Sequence, residues 1–184
     1  QEHYNMLPMF CEQKTTISLS SDGVVQLPPI TVKRVVSKIS YNLTAKPADM
    51  ELKSVQLISI PRTAVVFAPD GTAADNPDDY TDSPETTLTG QRAAGSYYML
   101  PNRQGVNTSI TDQKQKNADN APACASWLLI RATRGSKVLA YSVYLGENNT
   151  SDFNVRANSH YTLNITLLND NTADTRIASY LSLI

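Results

Sequence analysis

Residues 124–168 constrain the fold more than any other part of the chain, because they read as three short strand-forming runs with no catalytic motif among them. Residues 127–133 are apolar and β-branched. In residues 138–145, Tyr141, Val143 and Leu145 alternate with Ala140, Ser142 and Tyr144, and in residues 161–167, Tyr161, Leu163, Ile165 and Leu167 alternate with Thr162, Asn164 and Thr166. A period of two is that of a half-buried strand, since successive side chains point to opposite faces. Arg134-Gly135-Ser136 is a hairpin turn signal between the first two runs. The expectation is three successive antiparallel strands in a surface assembly module, not an enzyme.

Composition extends this reading. Only 18% of the 184 residues are charged, below the usual quarter, while Thr, Ser and Asn are abundant and Glu is scarce beside Asp. That balance favours strands and turns over helices and suits an extracellular β protein. The length allows one large or two small β domains with real cores. A formal charge of −1 with scattered basic residues leaves no electrostatic footprint for nucleic acid and no polybasic membrane patch. No apolar run approaches the roughly 18 residues a bilayer crossing needs. No signal peptide precedes Gln1, so the chain reads as mature, trimmed or a fragment, with any lipid anchor upstream.

Along the chain, residues 15–27 form β-prone pieces broken by Ser20-Ser21-Asp22-Gly23, and Pro28-Pro29 forces an extended entry to the next element. Residues 30–43 then place Val35, Ser37, Ile39, Tyr41 and Leu43 on one face of a long strand, opposite Arg34 and Lys38. Further strands are expected over residues 50–60, 63–67 and 97–100. Residues 68–95 hold six acidic residues, one Arg and three Pro but no Val, Ile, Phe or Met, a composition that cannot build core. A domain boundary or a decorated surface loop is expected there, which divides the chain into a β domain over residues 1–68 and another over residues 69–184. A second polar stretch covers residues 102–120.

Candidate sites are few. Asp70, Asp75, Asp78, Asp79 and Asp82 offer oxygen ligands for calcium but lack the spacing of a calcium loop, so a solvated acidic loop is expected and no metal. His3 and His160 neighbour no nucleophile motif, and His160, at a strand start, reads as partly buried and structural. Only five Glu occur, mostly in loops or near a terminus, and no nucleophile elbow or phosphate loop is present. No catalysis and no cofactor are expected. Cys11 and Cys124 belong to no CxxC pair, so they form either one disulfide, which would imply an oxidising compartment, or two free thiols. Asn42, Asn107, Asn148, Asn149 and Asn164 lie in sequons that matter only in a eukaryotic secretory pathway.

The C-terminal end, residues 177–184, carries no charge, Gly, Pro or Asn to blunt a strand edge. It is either the last strand of its own sheet or a tail that adds to a neighbour's sheet by donor-strand complementation. Ile177, Ser179, Leu181 and Leu183 face one way, and Ala178, Tyr180, Ser182 and Ile184 the other. Burying three large apolar side chains would contribute on the order of 5 to 8 kcal/mol before entropy costs. Ile177, Tyr180, Leu181, Leu183 and Ile184 are the candidate subunit contacts.

The motifs converge on a family. Leu7-Pro8-Met9, then Val32-Lys33-Arg34-Val35-Val36-Ser37-Lys38-Ile39, then Leu52-Lys53-Ser54-Val55-Gln56-Leu57 with Ile60-Pro61, resemble the closing part of the N-terminal domain of Bacteroidales fimbrillins. Those proteins build or cap the surface pili called type V fimbriae. Tyr97-Tyr98-Met99-Leu100-Pro101-Asn102, then Trp127-Leu128-Leu129-Ile130, residues 141–145 and residues 154–163 resemble that family's C-terminal domain, although Ala157 separates the usual arginine-asparagine pair. The resemblance implies transthyretin-like antiparallel β-sandwich domains, export as a lipoprotein precursor, removal of an N-terminal strand by an arginine-specific protease, and polymerisation by strand exchange. Implied partners are other fimbrial subunits and a host or bacterial surface receptor, with outer-membrane association through an upstream lipid anchor. The rival reading is a cell-surface glycan-binding module with exposed aromatics. Tyr80 is the only aromatic in the two polar stretches, and Trp127 lies in a run that reads as core, so that reading has little support from sequence.

Overall fold

A computed structural model of the chain describes residues 7–18, 21–23, 25, 27–68, 70–71 and 73–181. Among them the regular structure is all strand apart from two single 3-10 turns, at Pro77–Asp79 and Gln113–Gln115. In chain order the strands are β1 (Met9–Phe10), β2 (Lys33–Arg34), β3 (Ser37–Ala45), β4 (Met50–Ile58), β5 (Ile60–Pro61), β6 (Tyr80–Thr81), β7 (Thr86–Thr87) and β8 (Arg92–Met99). They continue with β9 (Asn102–Val106), β10 (Trp127–Arg134), β11 (Lys137–Tyr144), β12 (Asp152–Val155), β13 (His160–Leu167) and β14 (Ile177–Leu181).

Two sheets carry the architecture. One is five-stranded in the order β14-β11-β10-β4-β7, and the other three-stranded in the order β13-β3-β8. Their inner faces share one apolar core, which includes Ile39, Tyr41 and Leu43 of β3, Leu52, Val55 and Leu57 of β4, Leu128 and Ile130 of β10, and Leu139 of β11. This is a β-sandwich, the arrangement in which two one-sided sheets each hide an apolar face on the other. The alternation read in residues 35–43 is realised in β3, where Ser37, Ile39, Tyr41 and Leu43 are buried. β4 departs from strict alternation. A bulge against β10 makes Leu52 and Ser54 the partners of Ala132 and Arg131 and leaves Lys53 without one, which lets both Leu52 and Val55 enter the core.

Three expectations need correction. β10 and β11 form the antiparallel hairpin expected around Gly135, whose φ of 58° suits the turn, but β13 does not follow them in the same sheet. It crosses to the other sheet and pairs in parallel with β3 over its full length, from His160 against Lys38 to Leu167 against Ala45. Alternation marks a half-buried strand without naming its neighbour, so the parallel pairing was invisible to it. Residues 63–67 form no strand; Val65, Val66 and Phe67 are exposed in a turn. The boundary expected at residue 68 does not separate two cores. β3 is paired with β8 and β13, and β4 with β10, so strands from either side of residue 68 are interleaved in both sheets.

The acidic stretch is a decorated loop with small structural duties. β5 pairs with β6, β7 extends the edge of β4, and Tyr80 is buried. Its hydroxyl donates to Ala74 O at 2.6 Å and accepts from Gln104 Nε2 at 2.9 Å, and burial pushes its pKa up to about 12. Composition missed this because one aromatic among many polar residues suffices to pin a loop.

Candidate assembly edge

β14 sits at the open end of the five-stranded sheet, held by a single neighbour. It pairs antiparallel with β11, Ile177 facing Tyr141 and Leu181 facing Lys137. The face assignment from sequence is realised at Ile177, which packs against the core, and at Tyr180, which points away and is 61% exposed. None of Ile177, Ala178, Ser179 and Tyr180 is fully buried. By contrast Leu128, Ile130 and Ala132 of β10 are all completely inaccessible. Judged by residues 177–180, β14 is therefore a main-sheet strand whose departure uncovers little core. Leu183 and Ile184 lie outside the described residues, as does His3.

A second edge is open across the sandwich. β13 has β3 on one side and no partner on the other among the described residues. Its eight residues include no Pro, Gly, Lys, Arg, Asp or Glu, the devices that usually protect an edge. Tyr161, Leu163 and Ile165 point towards the core yet remain half-exposed. They line a groove of about 940 Å³ that also touches Val143 and Ile177 and runs between this edge and β11. Side chains that are core-facing yet half-exposed are what a sandwich shows where one more strand would fit.

Residues 168–176 run as a strap from β13 to β14 and contribute six residues to the lining of this groove, and side chains fasten the strap at both ends. The Tyr141 hydroxyl donates to Asn169 O at 2.7 Å, and Asp170 accepts from Arg134 Nη1 and Lys137 Nζ, each at 2.8 Å. Arg134 also donates from Nε to Asp49. The Lys137 hydrogen bond, with Arg134 beside it, holds Asp170 below the usual carboxylate range. At the far end Asn117 Nδ2 donates to Thr175 Oγ1 at 2.7 Å, and Ser142 N donates to Arg176 O at 2.9 Å. Sequence reasoning missed the strap, because its polar residues read only as a loop.

The remaining candidates are dispersed. Among the described residues no group of three or more His, Cys, Asp and Glu is placed to hold a metal ion, and Asp70, Asp75, Asp78, Asp79 and Asp82 are all exposed. Cys11 is half-exposed and Cys124 buried; both are free thiols, so the bridge considered between them is not formed. His160 is exposed, not partly buried, with Nε2 at 2.8 Å from Ser40 Oγ. Trp127 also departs from expectation. It lies on the outer face of the sheet, half-buried, its ring stacked on Tyr144 with centroids 5.8 Å apart. Four consecutive apolar residues, from Trp127 to Ile130, gave no alternation from which to tell inner from outer face.

The geometry thus defines an all-β sandwich with a thinly held terminal strand and an unpaired edge. Residues 97–165 match the model of a family described as a domain of unknown function (DUF4906). Among solved structures, the chain is similar to the tip fimbrial protein Mfa3 from Porphyromonas gingivalis with C-terminal truncation, at 15% sequence identity and a TM-score of 0.46. That likeness covers 92% of this chain, which spans only 59% of the length of the other. No curated protein matches.

Proposed function

We propose that this chain is a subunit of bacterial surface fimbriae, exported to the cell surface, which assembles with other subunits by adding its C-terminal strand to a neighbour's sheet. The observation that carries the reading is the pairing of two features in one molecule: β14, held by one neighbour with no fully buried side chain among residues 177–180, and the unpaired β13 edge beside a groove of about 940 Å³. Moving β14 from its own β11 to the β13 edge of the next copy would cover Tyr161, Leu163 and Ile165, a net gain in buried apolar area that simple exchange between identical sites would not give. Because donor and acceptor surfaces differ, the contact is head-to-tail and open-ended, which makes a filament. The resemblance to fimbrillins of the motifs around Val32, Leu52, Tyr97 and Asn154 points the same way. Adhesion through a surface receptor, and attachment to the outer membrane through a lipid anchor upstream, complete the proposal.

The test is limited trypsin treatment of the longest precursor that contains this chain, followed by denaturing gels, with and without residues 177–184. Ladders of denaturation-resistant oligomers that disappear with the truncation support the proposal. Ladders that persist without the tail sink it.

One observation favours the glycan-binding alternative: the half-exposed Trp127–Tyr144 stack on the outer sheet face, since sugar rings stack on such platforms. Titration of Trp127 fluorescence with oligosaccharides separates the readings. A saturable shift, abolished by Tyr144→Ala, supports a glycan site, and a flat response removes it.

A further inference from the structure

We infer that the strap over residues 168–176 is an autoinhibitory latch, which keeps β14 on its own sheet and walls the groove until its side-chain fastenings are released. The inference rests on the proposal of strand addition. Residues 177–180 contribute little burial of their own, so beyond the ladder with β11 what keeps β14 in place is the tethering of the segment that leads to it. A strand tethered close to its partner competes against any other sheet with a high effective concentration, and that advantage shrinks as the free chain lengthens.

The fastenings set that length. With Thr175 and Arg176 held to Asn117 and Ser142, the free tail begins at Ile177. With the strap loose, it begins at Leu168, which adds nine residues and about 30 Å of extended reach. The same release opens one wall of the groove, because Asn169, Asn171, Ala173, Asp174 and Arg176 line it. One event thus frees the donor and opens the acceptor.

Asp170 is the residue on which the latch turns. It is half-buried and takes one cation on each carboxylate oxygen, Arg134 on Oδ1 and Lys137 on Oδ2, both from the β10–β11 hairpin. Asp49 accepts from Arg134 in turn, so four charged side chains form one network at the strap's first corner. Such a network, unlike an isolated surface pair, is lost as a unit when its shared carboxylate is neutralised, and it weakens with salt.

The experiment is hydrogen exchange followed by mass spectrometry on the monomer, with wild type, Asp170→Asn and, as a control carboxylate on another surface, Glu51→Gln. In Asp170→Asn, amides of residues 177–181 should exchange roughly fivefold faster than in wild type, while those of β3, β4 and β10 keep their protection. Wild type in about 1 M salt should move towards the variant, and the variant should respond less to salt. A charge swap, Asp170→Lys with Lys137→Asp, should recover part of the protection. Unchanged exchange at residues 177–181 in Asp170→Asn overturns the latch, and so does an equal acceleration of every strand, which would mean general destabilisation. Oligomer yield is read separately. Faster exchange without more oligomer keeps the latch and removes strand addition; more oligomer with unchanged exchange does the reverse.

Discussion

Lys116 is a side chain whose chemistry the fold alters strongly. It is buried, donates from Nζ to Asn148 O at 2.7 Å, and lies 5.2 Å from the centre of the Phe153 ring. Burial lowers its pKa from 10.5 to about 8, against an opposing pull from Asp152. The unfolded chain therefore binds this proton more tightly, and stability rises with pH between about 8 and 10.5. Below that window the buried ammonium costs on the order of 3 kcal/mol. Urea unfolding of wild type and Lys116→Met across pH 7 to 11 isolates the effect, since the buried Tyr80 and Tyr141 are common to both. The wild-type curve should gain relative to the variant as pH rises; parallel curves would exclude the assignment. Gly146 shows the opposite kind of constraint. Its φ is 152°, and a Cβ there would lie 1.8 Å from Asp152 O, so Gly146→Ala should lower stability by more than about 3 kcal/mol in the same assay. Neither residue is legible in the sequence. Lys116 sits in a polar stretch that composition assigns to solvent, and it is buried because residues 110, 125 and 153 fold into a second small apolar cluster beside it.

Elements were more legible than their partners. The runs around Ile39, Leu139 and Leu163 became β3, β11 and β13 because period-two alternation is a local property, and the run around Leu128 became β10 on its apolar, β-branched composition. The strands β9 and β12 were missed. β12 is too short for a pattern, with Asp152, Phe153, Asn154 and Val155 all buried, and its polar members are satisfied locally: Asn154 Nδ2 donates to Asp152 at 2.8 Å. β14 was legible as an apolar tail, but whether it stays at home depends on the strap, whose fastening residues 117, 134 and 141 are distant in sequence. Truncation after Arg176 tests how much β14 contributes. The shortened chain should keep its far-ultraviolet dichroism and melt only a few degrees below wild type, because among the described side chains of β14 only the half-buried Ile177 leaves the core. Complete unfolding would show that β14 is an integral strand.

At the scale of the molecule strands from both expected domains share one main core, which sequence could not show because a loop poor in large apolar residues looks like a linker whether it separates two domains or bulges from one. The loop leaves after β4 and β5, with β4 paired to β10, and returns to β8, which pairs with β3, so both flanks are tied into the same sandwich. Urea unfolding should accordingly follow a single transition by both fluorescence and dichroism, and two separated transitions would restore the division. Acid should weaken this sandwich. Asp49, Asp170 and Asp174 are held below 3.8, chiefly by hydrogen bonds from Arg134, Lys137 and Arg176 respectively. Carboxylates with lowered pKa values contribute fully above that value and lose their contribution as pH falls below it, so the melting temperature should drop below about pH 4.

The most direct test of assembly by strand addition separates donor from acceptor. A chain truncated after Arg176 can accept a strand but has none to give. A chain with Leu163→Lys and Ile165→Lys carries charge in the groove and can give but not accept. Sedimentation of each alone and of the two together, after both are shown to be folded, distinguishes the outcomes. In about 1 M salt, which loosens the strap, strand addition predicts monomers separately and a one-to-one heterodimer on mixing, with wild type alone forming longer chains. A mixture that stays monomeric while wild type assembles would contradict it, as would a double-lysine chain that still polymerises by itself.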